Sequence, residues 1–298
     1  MASDTQEHEK SVMGIHSDLM NLNSVSQMKY LFAGDIHGNV SFLDDAIRYA
    51  ERHNCRFVQT GDLVDSHDPL TGPEQQLQVL DLVCSRRGSS DIYLAGNHDL
   101  SYLWDHLRCS SYQKSHAEAF RDRLSTIPFR YFFMVNDLLV THAGLSLRFL
   151  KDQSRVYGFS LPDSPQETAS WLQAWLREHT ASPWSDLFQP GAARGGMMPT
   201  GGITWCDYFE EFEPVPSIHQ IFGHSVTSRA GGLRGILEHP PANSASGRNF
   251  AIDNVSYGRR ETLLYDDRDR SFRIITHREL RESAPRPAAF PEPEIRLS

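Results

Sequence analysis

The stretch Tyr30-Leu31-Phe32-Ala33-Gly34-Asp35-Ile36-His37-Gly38-Asn39 decides how this chain reads. Four apolar residues make a short run that reads as a buried strand. The run stops at a glycine, and a carboxylate and an imidazole follow at i and i+2. The same order returns twice. Arg56-Phe57-Val58-Gln59-Thr60 runs into Gly61-Asp62-Leu63-Val64-Asp65, and Ile92-Tyr93-Leu94-Ala95 runs into Gly96-Asn97-His98-Asp99.

Helical patterns separate these strands. Leu43, Ala46, Ile47 and Ala50 fall at i, i+3, i+4 and i+7, with Ser41 as the expected N-cap. Pro73 is expected at the first turn of a second helix, with Leu77, Leu80, Val83 and Cys84 on one face. The alternation β-α-β-α-β predicts parallel strands with right-handed crossovers. Ligands of open α/β sheets bind beyond the carboxyl ends of the strands. The three polar clusters are therefore expected to meet in space.

Downstream, Leu100–Leu124 reads as helical. Tyr131–Val135 and Leu138–Thr141 read as a hairpin around Asn136-Asp137, and the second strand runs into His142-Ala143-Gly144. Residues 151–202 read as an insertion. It carries a helix with Trp171, Leu172, Trp175 and Leu176 on one stripe, then a Gly-rich loop from Arg194 to Gly202. Gln220-Ile221-Phe222 leads into Gly223-His224-Ser225. Further strands are expected at Leu233–Leu237, Phe250–Asp253, Thr262–Tyr265 and Phe272–Thr276. The expected organisation is a lead-in over 1–28, a domain over 29–280 that includes the insertion, and a Pro-rich tail over 281–298.

At 298 residues, roughly 150 per domain allows two domains, and one elaborated α/β domain fits equally well. There are 29 basic and 38 acidic residues, a formal charge of −9, which argues against general binding of nucleic acid through phosphate contacts. Cys55, Cys84, Cys109 and Cys206 form no C-x-x-C pair, which argues against a Cys-only zinc site and for reduced thiols in a cytoplasm. The first twenty residues hold no apolar core of a signal peptide, and no run of 18 apolar residues predicts a membrane span. Fourteen histidines invite a search for metal ligands.

Five clusters answer that search: Asp35-x-His37, Gly61-Asp62-x-x-Asp65, Gly96-Asn97-His98-Asp99, His142 and Gly223-His224. Each follows its own apolar run. Carboxylate, imidazole and amide donors suit divalent ions such as manganese, iron or zinc rather than thiolate chemistry.

With these motifs in place, the chain resembles the calcineurin-like metallophosphoesterase superfamily. More narrowly, it is similar to the phosphoprotein-phosphatase branch, which includes bacterial and phage phosphatases and symmetric diadenosine-tetraphosphate hydrolases. The text that carries the likeness is Gly34-Asp35-Ile36-His37-Gly38-Asn39, Gly61-Asp62-Leu63-Val64-Asp65, Gly96-Asn97-His98-Asp99, Thr141-His142-Ala143-Gly144-Leu145-Ser146 and Phe222-Gly223-His224. It spans about residues 29–276, with the insertion and both ends outside. The resemblance implies an α/β fold, a four-layer α-β-β-α sandwich, and two divalent ions, manganese first with iron or zinc as alternatives. It implies that Asp35 and His37 hold one ion, that Asp62 bridges, and that Asn97, His142 and His224 complete the other. It implies His98 as the acid, oriented by Asp65, and attack by a bridging hydroxide.

Two positions depart from that pattern. Many superfamily members carry a second histidine in Gly-His-x-His, where this chain has Val226. The phosphatase motif continues as Asp-Arg-Gly, where Asp65 is followed by Ser66-His67. An arginine grips phosphate bidentately, and neither serine nor neutral histidine replaces it well. Candidate substrate contacts are then Asn97, Arg194, Arg229 and His67. Trp171 and Trp175 are expected in the core, and Asp253 as support near the site. The expected activity is phosphomonoester hydrolysis on a small molecule, a nucleotide or a phosphoprotein. A nucleotide pyrophosphohydrolase is the second reading, and a silent metal-binding scaffold is the reading from another class.

Overall fold

Strand β1 (Lys29–Ala33) is buried on both faces after its first residue. Tyr30 and Phe32 point to one side and Leu31 and Ala33 to the other, and each pair enters a different apolar cluster. A strand sandwiched in this way reads as a continuous apolar run. In this computed structural model the described residues are 28–162, 164–230, 232, 234–240, 247–256 and 258–283.

Beside β1 lie β2 (Cys55–Gln59) and β3 (Ile92–Tyr93), all parallel, with Leu31 opposite Phe57 and Val58 opposite Ile92. The antiparallel strands β9 (Thr262–Asp266) and β10 (Ser271–Ile275) complete a five-stranded sheet in the order β10-β9-β1-β2-β3. A second sheet has the order β4-β5-β6-β8-β7. Its strands are β4 (Phe132–Val135), β5 (Leu138–Thr141), β6 (His219–Phe222), β7 (Leu237–Glu238) and β8 (Asn249–Ala251). Strands β5, β6 and β8 are parallel, with Val140 opposite Ile221 and Ile221 opposite Phe250.

The sheets face each other across Tyr30, Phe32, Val58, Val140, Ile221 and Phe250. Four helices cover the outside of the first sheet: α1 (Val40–Arg52), α2 (Pro73–Ser85), α4 (Ala117–Leu124) and α7 (His277–Ser283). Leu31 and Phe57 meet Leu43, Leu80, Phe120 and Leu280 there. On the second sheet, Leu139 meets Phe149 and Leu150 of α5 (Leu147–Tyr157) and Leu172 and Leu176 of α6 (Pro165–His179). This is the expected α-β-β-α sandwich. Removing a side chain such as Leu139 from such a core costs about 2–5 kcal/mol. Among the described residues no helix is long and apolar enough to cross a membrane.

Local expectations need four corrections. Asn39, not Ser41, caps α1: its side chain accepts the Phe42 N–H, because the chain turns at Gly38 (φ 82°) and the helix starts at Val40. The helical stretch is broken. Helix α3 (Asn97–Leu103) ends where Trp104 adopts extended backbone, and α4 starts at Ala117. The Leu233–Leu237 strand reduces to β7, with Leu233 itself outside the described residues. Finally, the strand ends at Ala251: Ile252 still donates its N–H to the Phe222 carbonyl (2.8 Å) and packs between the sheets, and only Asp253 lies beside the Asp62 and His142 charges of the site. Pro73 does open α2, and Asn136 (φ 52°) turns the β4–β5 hairpin. Helix α7 includes Arg281–Ser283 of the expected tail; residues 1–27 and 284–298 lie outside the described residues.

Candidate active site

Two parallel triplets of strands point their carboxyl ends at one edge of the sandwich. The chain leaves β1 into Asp35 and His37, β2 into Asp62 and Asp65, and β3 into Asn97 and His98. It leaves β5 into His142, β6 into His224 and β8 into Asp253. Main-chain bonds tie the loops together: His37 N–H donates to the Asp62 carbonyl (2.9 Å) and Gly38 N–H to the Leu63 carbonyl (3.0 Å). Asp35, His37, Asp62, Asn97, His98, His142 and His224 are all buried. The structure thus brings these seven residues to one place.

Side-chain geometry divides them into two groups that share one residue. Ligand-type atoms of Asp35, His37 and Asp62 lie within 4.8 Å of one another, and so do those of Asp62, His142 and His224. His142 donates Nδ1–H to the Thr60 carbonyl (3.0 Å). Its Nε2 then faces Asn97 Oδ1 at 2.9 Å and Asp62 Oδ2 at 3.3 Å. His37 likewise donates Nδ1–H to the Val64 carbonyl (2.8 Å), and its Nε2 faces Asp35 and Asp62 at 3.9 Å. His224 Nδ1 stands 2.9 Å from the same Asn97 oxygen.

Lone pairs and carboxylates thus converge on two points, and cations satisfy such points. Burial, then the neighbouring Asp253 and Asp62 charges, push the Asp35 carboxyl well above its ordinary range. Burial also acts upward on Asp62, but His142, His98 and His37 outweigh it and hold that carboxyl low. Burial, with the His98 charge adding to it, pulls His37 down to about 4. Burial drives His224 well below its ordinary value, with Arg194 and His142 adding to it. Imidazoles kept neutral beside carboxylates match what divalent metals bind. The residues present fit a pair of ions with Asp62 between them.

Four of these residues hold left-handed backbone: His37 (φ 44°), Asp62 (φ 57°), Asp65 (φ 62°) and His224 (φ 66°). That costs of order 1 kcal/mol or more each for a residue with a Cβ. The surrounding bonds hold them there, and the side chains turn inward as a result. Two glycines serve by lacking a side chain rather than by unusual φ. A Cβ on Gly96 would strike Asp62 Oδ1, and one on Gly223 would strike Asp35 Oδ1.

His98 stands beside this group. Its backbone N–H donates to Asp62 Oδ1 (2.9 Å) and its Nδ1 lies 3.2 Å from Asp65 Oδ2. Tyr102 O–H donates to the other Asp65 oxygen at 2.5 Å, and Asp65 N–H donates to Gln76 Oε1 at 2.8 Å. Burial pulls the His98 pKa down, but Asp62 and Asp65 outweigh it and the net shift is upward.

The departures from the phosphatase motif also have places. His67 lies over the site, its ring centroid 6.2 Å from His37 and 5.9 Å from His98, with Nδ1 2.9 Å from Ser111 Oγ. Arg194, from the Gly-rich loop, reaches the residue after His224. Its Nη2 donates to Ser225 Oγ (3.1 Å), and its Nε pairs with Asp207 Oδ2 (2.9 Å). Buried Glu211 anchors that loop by accepting the N–H groups of Ala193 and Gly201 (both 2.9 Å). The side chain of Arg229 lies outside the described residues. Trp171 and Trp175 sit 5.8 Å apart, and Trp175 is buried among the α5–α6 contacts, as the core reading expects.

Sequence reasoning missed several supports. Asp99 accepts the N–H groups of Asp62 (2.8 Å), Leu63 (3.0 Å) and Gly96 (3.0 Å), so it caps α3 and fastens the β2 loop to it. Its place three residues after Gly96 is a capping signal. Tyr102, Gln76 and Cys109 come from helices and a loop without any motif.

The family model for calcineurin-like phosphoesterases matches residues 28–228, more than half of the chain. A search of curated proteins finds no match. Among solved structures, a cold-active protein-tyrosine phosphatase of the psychrophile Shewanella sp. is similar at 17% identity and TM-score 0.46, covering 84% of this chain and 81% of that one. A metallophosphoesterase from Sphaerobacter thermophilus aligns at 16% identity and TM-score 0.38, over 87% and 94%. A protein serine/threonine phosphatase from Saccharomyces cerevisiae aligns at 12% identity and TM-score 0.37, over 85% and 81%. That family works with divalent metal ions, and two Asp/His groups able to hold them meet here at one sheet edge. The chain belongs to the calcineurin-like phosphoesterases and is a hydrolase of phosphoric ester bonds.

Proposed function

We propose that the protein hydrolyses phosphomonoesters, phosphoproteins among them, with two manganese ions and in the cytoplasm. One observation carries the reading: Asp62 belongs to both carboxylate–imidazole groups. Asp35, His37 and Asp62 would hold the first ion, and Asp62, Asn97, His142 and His224 would hold the second. When bound, the ions supply Lewis acidity that neutralises the phosphoryl group and acidity that turns water into a nucleophile near neutral pH. The four free thiols support the cytoplasmic placement.

The protein's own residues supply the rest. His98 is the general acid. Its Nδ1–H is committed to Asp65, so Nε2 is the nitrogen that hands a proton to the leaving ester oxygen. The Tyr102 and Gln76 bonds hold Asp65 still, and the upward shift of His98 keeps it protonated closer to neutral pH. Arg194 and His67 take the phosphate oxygens in place of the arginine missing after Asp65. Asn97 gives the site its oxygen alone, because its Nδ2 is turned to Cys109 Sγ at 3.2 Å.

The test is the initial rate of p-nitrophenyl phosphate hydrolysis by chelator-stripped protein with Mn²⁺ restored, beside the bis-ester. A strong monoesterase rate with little diester cleavage supports the reading. Preference for the diester overturns it in favour of a phosphodiesterase. Silence on both with two ions bound overturns it in favour of a scaffold.

A further inference from the structure

Asn97 is the weakest donor in the proposed centre and the easiest to misplace. The two ends of its amide have the same shape, so only hydrogen-bond partners decide which faces the metals. Oδ1 faces His142 Nε2 and His224 Nδ1, both at 2.9 Å. On the other end, Nδ2 donates to Cys109 Sγ at 3.2 Å. The same sulfur donates its own proton to the Asn97 backbone carbonyl at 3.0 Å. A thiol has one proton. With that proton spent on the carbonyl, sulfur turns only lone pairs toward the amide. An Oδ1 placed there would meet lone pairs, and the amide N–H groups would then point at the metal site.

Cys109 is itself held in place. It sits on the loop between α3 and α4, half-buried, with its sulfur in contact with both the side chain and the backbone of Asn97. The preceding Arg108 fixes the loop through the carbonyls of Ser101 (3.0 Å) and Leu107 (2.7 Å), and lies 5.0 Å over the Tyr112 ring. Two residues on, Ser111 holds His67. Gln113 N–H donates to the Tyr102 hydroxyl oxygen at 2.8 Å, and that hydroxyl in turn donates to Asp65. One short loop thus reaches the Asn97 amide, the histidine that replaces arginine, and the support of the general acid.

We infer that Cys109 is a positioning residue for the metal centre, fixing the Asn97 amide so that its oxygen faces the ions. This rests on the metal reading above. Outer partners of a ligand change metal affinity by about 10–100-fold. The readout is Mn²⁺ binding followed by the electron paramagnetic resonance of free Mn²⁺, with the urea midpoint of metal-free protein alongside. Cys109→Ala is expected to weaken the second ion about tenfold or more and to leave the first nearly unchanged. Cys109→Ser keeps one donor and the lone pairs, and is expected to restore binding. In Asn97→Asp both ends are oxygens and orientation no longer matters, so adding Cys109→Ala there is expected to cost no Mn²⁺ affinity. Wild-type binding by Cys109→Ala, loss in Cys109→Ser equal to that in Cys109→Ala, or a cost that persists beside Asn97→Asp each overturns the inference alone. Fewer than two ions on the wild-type protein overturns the reading beneath it.

Discussion

Asp62 Oδ1 accepts the backbone N–H of His98 at 2.9 Å, while its Oδ2 lies 3.3 Å from His142 Nε2. One carboxylate therefore sets the position of the proposed acid and joins the two ligand groups. Asp62→Asn keeps the shape. If its oxygen stays on the His98 N–H, its amide hydrogens point at His142 where lone pairs are needed. The expected result is a loss of metal affinity beyond the roughly 10–100-fold typical of outer partners, with activity lost as well. Calorimetric titration with Mn²⁺ checks it. Two ions bound at wild-type affinity with full turnover would sink the assignment.

His98→Ala removes the proposed proton donor and leaves every proposed metal ligand in place. Turnover on an alkyl phosphate is expected to fall by about 10²–10⁴-fold. The loss should be smaller on p-nitrophenyl phosphate, whose acidic phenol leaves without help. Equal losses on both substrates would assign His98 to binding instead of proton transfer.

Asp99→Ala strips the acceptor from three buried N–H groups at once. Each unmet buried donor costs about 1–3 kcal/mol. We expect the metal-free protein to lose at least 3 kcal/mol by this estimate, read as a lower urea midpoint. Asp99→Asn keeps one acceptor and should fall between. A change under about 1 kcal/mol, less than one such donor, would mean that water replaces the carboxylate.

The fold was legible because its strands are short apolar runs with the site residues at their carboxyl ends, and strand pairing preserves that local order. The core face of α6 was legible for the same kind of reason, as a 3.6-residue stripe through Leu172, Trp175 and Leu176. Helix limits were less so. Asn39 displaced Ser41 as cap because a tight turn precedes it, and tertiary bonds set that turn. The supports of the site were hidden. Cys109 meets Asn97 from twelve positions away, and Gln76 meets Asp65 from eleven. Such bonds depend on where loops land after packing, and no periodicity encodes them.

Asp253 gives a pH dependence in the metal-free protein. Both its carboxylate oxygens are buried without a hydrogen-bond partner. Burial first, and the Asp62 charge second, push it up from 3.8 to about 7. The folded state thus keeps a proton that the unfolded chain gives up above pH 4 or so. Its contribution is fully present below the unfolded value and is lost as pH rises through about 7. Asp253→Asn has no such proton. The stability of wild type relative to this variant should fall by up to about 1.4 kcal/mol per pH unit across that window. Urea denaturation in chelator from pH 4.5 to 7.5 reads the difference, and a flat difference would mean that Asp253 ionises freely when folded.

Arg194 is the last test, and it separates a phosphate contact from a structural brace. Its guanidinium pairs with Asp207, which is 1% exposed, and its Nη2 donates to Ser225 beside His224. Arg194→Ala alone is ambiguous, because it leaves the buried Asp207 charge without this partner and weakens the fold. Arg194→Lys keeps the charge but loses the planar fork that takes two phosphate oxygens. If Arg194 holds the phosphate, the lysine variant should raise KM about tenfold, equivalent to about 1.4 kcal/mol, with the metal-free urea midpoint near wild type. If Arg194 only braces the Gly-rich loop, KM should stay and the midpoint should drop. Measuring both on one preparation gives each role its own signature.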